Sequence, residues 1–220
     1  LTYLQLINKV LARLRQDTVA SLSDNGATLA GHFVNQAKEE IEDMGPWMAL
    51  RAAQTVSASA GTASYLMSST NERSYVVRDG RGVPQIYETT AGSKNLIQLI
   101  EWEEMRRLHN LDESVVQAQP IYAAIDRGAT GLTIKFYPTP ASSRTYSVLC
   151  VVPQAELASI STSITIPSRP VWMYAAALYA MERGEEMSGE PGSLMMQARS
   201  VINDFVLTDF GADNQTFYAD

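Results

Sequence analysis

The hydrophobic period of this chain changes twice, and that change restricts its fold more than any other feature. Apolar residues recur every three or four positions near both ends and alternate, or run together, in the middle. In Thr2 to Arg15, the residues Tyr3, Ile7, Val10, Leu11 and Leu14 mark one buried stripe of a helix, and Thr2 with Gln5 has capping-box spacing. Asn25-Gly26 signals a turn, and a second helix is predicted over about 27–44 with Ala30, Phe33, Val34, Ala37, Ile41 and Met44 inward. Gly45-Pro46 stops it, because proline lacks the donor that a helix needs. A third helical pattern starts at Pro170 and runs through Val171, Tyr174, Leu178 and Met181 towards Gly184. A fourth covers about 193–207, with Leu194, Ala198, Val201, Ile202 and Phe205 inward.

The middle reads differently. "SYVVRDGRGVPQIYETT" predicts two short strands around an Asp79-Gly80 turn, and the stretch from Leu96 to Leu108 holds a short helix. Leu132 to Phe136 alternates and Tyr146 to Val152 is nearly all apolar, so these are the strongest strands, with Ile160 to Ile166 a weaker one. The expected class is α+β: an α-helical bundle formed by the N- and C-terminal helices (1–48 and 168–208), with a β-rich middle domain (49–167) that carries a short helical insert. From Thr208 the sequence loses its period, which predicts an extended C-terminal tail over 209–220.

A chain of 220 residues with 45% hydrophobic content can bury a sizeable core. Its formal net charge is -7 and its cations are scattered, which argues against gripping nucleic acid by neutralising phosphates. Cys150 is the single cysteine, so no intrachain disulfide forms. No apolar run approaches the roughly 20 residues of a membrane span, and a soluble chain made in the cytosol is expected.

One segment invites a catalytic reading. "AKEEIEDMGPWMALR", residues 37–51, places Glu39, Glu40, Glu42 and Asp43 just ahead of Trp47. At about 100° per residue from Phe33, Glu39, Glu42 and Asp43 fall near 240°, 180° and 280°, away from an apolar stripe spanning about -40° to 100°. These three are expected to face solvent. Glu40 falls near -20°, inside the stripe, where a carboxylate needs a partner. Arg13 or Arg51 is the expected partner, and a structural ion pair outweighs a general acid, since that chemistry needs a second group and a pocket. His32 and His109 lack metal-ligand neighbours, no nucleophile elbow or phosphate loop is present, and the tryptophans are not interleaved with basic residues, so no catalytic, cofactor or metal site is expected.

Whole phrases carry a resemblance. "TYLQLINKVLARLRQDTVASLSD", "FVNQAKEEIEDMGPWMALR", "IKFYPTPASSRTYSVLCVVPQAELA" and "IPSRPVWMYAAALYAMERGEE" resemble the head-to-tail adaptor, or connector, proteins of tailed bacteriophages, the tail tubular protein A or gatekeeper-like adaptors. The resemblance implies a structural virion protein without catalytic residues. It implies a dodecameric ring that docks under the portal protein, extends the DNA channel and seats the tail nozzle or tail tube protein. Double-stranded DNA would pass through it transiently and without sequence preference, and the ring would be assembled in the host cytoplasm. Glu39, Glu42 and Asp43, the hairpin tip with Asp79 and Arg81, and Phe217 with Tyr218 are the expected interface material. The competing readings are a small tail-associated hydrolase that uses a carboxylate such as Glu40, and a DNA-binding accessory protein.

Overall fold

A computed structural model describes residues 1–78, 83–84, 86–90, 95–111, 116–184 and 191–215. The fold mixes five α-helices with ten strands among the described residues, and the chain divides into two compact units. One comprises Leu1–Leu50 with Gln154–Asp220, and the other is Arg51–Pro153.

The first unit holds α1 (Tyr3–Arg13), α2 (Asn25–Glu42), α4 (Ser168–Glu182) and α5 (Pro191–Gln215). Helix α1 starts on the capping box: the Gln5 N–H donates to Thr2 Oγ1, and the Thr2 N–H donates to Gln5 Oε1 at 3.0 Å. It buries Tyr3, Leu6, Ile7, Val10 and Leu11. Gly31 lets α1 and α2 approach, because a Cβ there would collide with the Tyr3 hydroxyl. Helix α4 packs on α1, α2 and α5. Its buried residues include four alanines, Ala175, Ala176, Ala177 and Ala180, beside Val171 and Tyr179, while Met181, expected inward, is exposed. Alanines permit close helix contact, and a search for large apolar residues misplaces such a face. Met44, also expected inward, lies past the end of α2 and is exposed.

Two expectations about the later chain are corrected. Residues 209–215 continue α5 and are not extended. Propagating a formed helix costs little, and no proline interrupts this stretch. The Asp209 carboxylate accepts the Met48 N–H at 2.8 Å, which caps the short 3-10 turn Met48–Leu50. Residues 154–163 belong to this helical unit and not to the β-rich one, and they form no named strand. This strap meets the N-terminus through an isolated bridge of Ser163 with Thr2 and through the Tyr3 N–H to Thr162 carbonyl bond at 2.8 Å.

The second unit contains β1 (Arg51–Ala58), β2 (Ser64–Leu66), β3 (Tyr75–Val76), β4 (Ile86–Glu88), β5 (Gln98–Leu99), α3 (Trp102–Leu111), β6 (Gln117–Ala118), β7 (Tyr122–Gly128), β8 (Gly131–Tyr137), β9 (Thr139–Pro140) and β10 (Arg144–Val151). One sheet runs β1-β10-β3, with β4 also on β10, and a second runs β2-β8-β7-β5. Val56, Ile86, Leu132, Ile134, Phe136, Tyr146 and Val148 from both sheets share one core, in which the Phe136 and Tyr146 rings lie 4.3 Å apart. Helix α3 covers β7 and β8.

The expected hairpin around Asp79-Gly80 is replaced by a different arrangement. Both β3 and β4 run antiparallel to β10, with Val76 opposite Cys150 and Ile86 opposite Val148. They are therefore two collinear pieces of one interrupted edge strand. An isolated bridge between Arg78 and Pro84 closes the base of the excursion. The turn itself, with Asp79 and Arg81, lies outside the described residues.

Candidate functional site

The acidic stretch ends α2, and its carboxylates have separate fates. Glu39 and Asp43 are exposed, as their helical phase predicts. Glu42 is the correction: it is only 1% exposed. Its Oε2 lies 3.2 Å from Lys38 Nζ, itself buried, and its Oε1 accepts the Gln154 N–H at 3.2 Å. Lys38 Nζ also donates to the Gln154 carbonyl at 2.6 Å. One turn earlier, Asn35 Oδ1 accepts the Leu157 N–H at 2.9 Å and its amide donates to the Leu157 carbonyl at 3.0 Å.

Asn35, Lys38 and Glu42 thus form one polar row that clasps the strap. From Phe33 they fall near 200°, 140° and 180°, so they share a face opposite the apolar stripe. The physical reason is that the strap makes no ladder here, and its buried main-chain groups must be satisfied by side chains. Apolar periodicity detects burial against hydrocarbon and is blind to burial against a bare backbone. The signal available in the sequence was the i, i+3, i+7 spacing of Asn35, Lys38 and Glu42.

Glu40 is half-buried, and its partners differ from those expected. Its Oε2 accepts the Tyr174 hydroxyl at 2.6 Å and its Oε1 accepts the Gln36 amide at 2.9 Å. Burial, together with the Glu40 hydrogen bond and charge, pushes the Tyr174 phenol up to about 12. Tyr174 therefore stays a donor throughout the neutral range. Arg13 instead donates to Gln197 at 2.8 Å, and Arg51 opens β1 in the other unit.

Trp47 is fully buried, and its indole N–H donates to the Ile41 carbonyl at 2.7 Å. That carbonyl is one of the four at the end of α2 without a full set of intrahelical partners. The residue after the Gly45-Pro46 break therefore returns to close the helix it left. Trp47→Phe deletes the donor and also the pyrrole part of a fully buried indole, so a loss of at least about 1–2 kcal/mol is expected in urea unfolding followed by far-UV circular dichroism. An unchanged midpoint would dismiss the cap.

A second buried acid, missed in the sequence, sits in the other unit. Glu88 is fully buried and pairs with Arg144, while Asn95 and Gln119 donate to its Oε2 at 3.2 and 2.9 Å. Burial acting alone would raise its carboxyl, but the Arg144 hydrogen bond, Asn95, the Arg144 charge and Gln119 together hold it below the ordinary value. Tyr146 beside it is pushed up to about 12, mainly by burial and then by the Glu88 charge. Burial also lifts the Cys150 thiol to about 12, which leaves it a poor nucleophile.

These groups do not converge on a reaction centre. Glu40, Glu42 and Glu88 are each consumed by fixed donors, and among the described residues no group of three or more His, Cys, Asp or Glu could hold a metal ion. A shallow recess of about 340 Å³ on α3 is lined by Glu103, Arg106, Arg107 and Asn110, all from one helix. No helix among the described residues is long and apolar enough to cross a membrane. Phe217 and Tyr218 lie outside the described residues.

The model of one family, described as SU10 adaptor protein, matches residues 1–206. No curated protein matches the chain.

Proposed function

The chain belongs to the SU10 adaptor protein family, and from that premise we propose the part it plays as a structural head-to-tail adaptor of a phage virion. Twelve copies form a ring that docks under the portal protein, extends the DNA channel and seats the tail nozzle or tail tube protein. The family match over residues 1–206 carries this reading. In each subunit the helices of both chain ends make a bundle, and the strands make a second, β-rich domain.

The net charge of -7 supports passage of DNA without retention, since an acidic wall repels phosphate. A closed ring needs head-to-tail contacts between unlike surfaces. Glu39 and Asp43, exposed at the end of α2, are the described acids best placed for such contacts, with Asp79, Arg81, Phe217 and Tyr218 as further interface residues. The subunit is made in the host cytoplasm and joins the particle during assembly. No observation favours the alternative of a tail-associated hydrolase, whose candidate acid Glu40 is engaged by Tyr174 and Gln36.

Electron microscopy of the protein mixed with its portal tests the proposal. A ring of added density in register with the portal symmetry is expected. A portal left bare, together with turnover of a cell-wall substrate by the purified protein, would replace the connector with the hydrolase.

A further inference from the structure

Among the described residues, β1 is the one long strand of the second unit paired on a single side. β10 has β1 on one edge and β3 with β4 on the other, β7 has β8 and β5, and β8 has β7 and β2. Among the described residues β1 pairs with β10 alone, through eight consecutive positions without a bulge, from Arg51 opposite Val151 to Ala58 opposite Arg144. On the far edge of the same sheet β4 is covered, because the Glu88 N–H donates to the Asn95 carbonyl at 2.9 Å and the Ile97 N–H to the Ile86 carbonyl at 3.0 Å, and β3 offers only two residues.

The alternation of an antiparallel ladder tells which groups face the open edge. The Val77 N–H donates to the Leu149 carbonyl at 2.9 Å and the Thr89 N–H to the Thr145 carbonyl at 2.8 Å, so these odd-numbered residues of β10 point away from β1. Their partners in the register are Ala53 and Ser57, with Thr55 opposite Ser147 between them. The main-chain N–H and C=O groups of Ala53, Thr55 and Ser57 therefore point outward, while Ala52, Gln54, Val56 and Ala58 hold β10. All three outward residues are exposed and small. Natural edge strands avoid pairing through prolines, lysines, bulges or a covering segment, and residues 52–58 carry no proline, lysine or bulge.

We propose that β1 is a strand-addition site: an extended segment of about five residues, roughly 17 Å long, from a different protein of the virion pairs with residues 53–57. Three outward N–H donors and three outward C=O acceptors set the register, and small side chains at Ala53, Thr55 and Ser57 let the added strand lie flat. A second copy of this chain is a poor occupant. Among the described residues the other edge strands, β2, β3, β5, β6 and β9, have two or three residues each, and β1 against β1 is a two-fold pairing that closes a dimer. Such a dimer conflicts with head-to-tail contacts around a ring, a step that rests on the ring reading above.

Hydrogen–deuterium exchange of the full chain, alone and within tailed particles, tests the site. The amides of Ala53, Thr55 and Ser57 are expected to exchange fast in the isolated chain and at least about tenfold more slowly in particles. Equal rates in the two states would overturn the proposal, and so would protection that already appears when the isolated chain dimerises. Thr55→Pro deletes an outward donor without touching the β10 ladder. It is expected to keep the wild-type melting transition and the ring on the portal while lowering tail attachment about tenfold or more. Wild-type attachment by a folded variant would also overturn the proposal, and if the variant does not fold, the exchange comparison decides. A wild-type chain that adds no ring to its portal would defeat the ring reading and leave strand addition to the exchange result.

Discussion

Lys38→Met is expected to lower the unfolding free energy of the helical unit by about 3–5 kcal/mol, because it removes one member of a buried ion pair and leaves the other. The substitution preserves length and apolar stem, so packing changes little. What changes is the Glu42 carboxylate, which still accepts the Gln154 N–H and loses the ammonium. The Gln154 carbonyl loses its donor in the same step. Urea unfolding followed at 222 nm measures the loss, and exchange of the Gln154 and Leu157 amides should accelerate together, since both are held by the polar row. The double variant Lys38→Met with Glu42→Leu should recover only part of the loss, because the strap backbone at Gln154 stays unsatisfied. A single-variant loss below about 1 kcal/mol would mean that water reaches the pair.

Arg144→Met is expected to cost a similar 3–5 kcal/mol at neutral pH in the β-rich unit and to reverse the sign of its acid response. In the native chain the Glu88 carboxyl is held below its ordinary value. Its contribution to stability is then fully present above the unfolded value, near 4.5, and is lost as pH falls through the lower folded value. Without Arg144 the largest remaining influence on Glu88 is burial, which favours the neutral acid. The folded carboxyl then titrates above the unfolded one, and stability rises as pH falls from neutral. Urea midpoints between pH 7 and pH 5 should therefore climb for the variant and stay flat for the native protein. Parallel profiles would show that Asn95 and Gln119 suffice to hold the charge.

Glu40, Glu42 and Glu88 show how far residue order carries and where it stops. Glu40 falls inside an apolar stripe, and it lies partly under cover, on Tyr174 and not on an arginine. The phase of Glu42 opposes the stripe and predicts a solvated charge, yet it is more deeply buried than Glu40. The difference arises from a partner 112 residues away along the chain, the Gln154 main chain. Glu88 gave no local signal at all, since its donors come from Asn95, Gln119 and Arg144.

What could be read from residue order alone was whatever has a short repeat: the helical stripes of α1, α2 and α5, the capping box at Thr2, the stop at Gly45-Pro46, and the strands around Phe136 and Tyr146. Each depends on contacts within a few residues, where spacing and steric rules act directly. Folding in three dimensions supplied the rest. It bound the strap to the polar row of α2, turned Trp47 back onto Ile41, merged β3 and β4 into one interrupted edge, and left Ala53, Thr55 and Ser57 facing an open edge. Apart from the return of Trp47, which spans six residues, those outcomes concern which backbone groups find partners across long stretches of chain. Every residue except proline carries the same main-chain donor and acceptor, so residue identity records almost nothing about where they are satisfied.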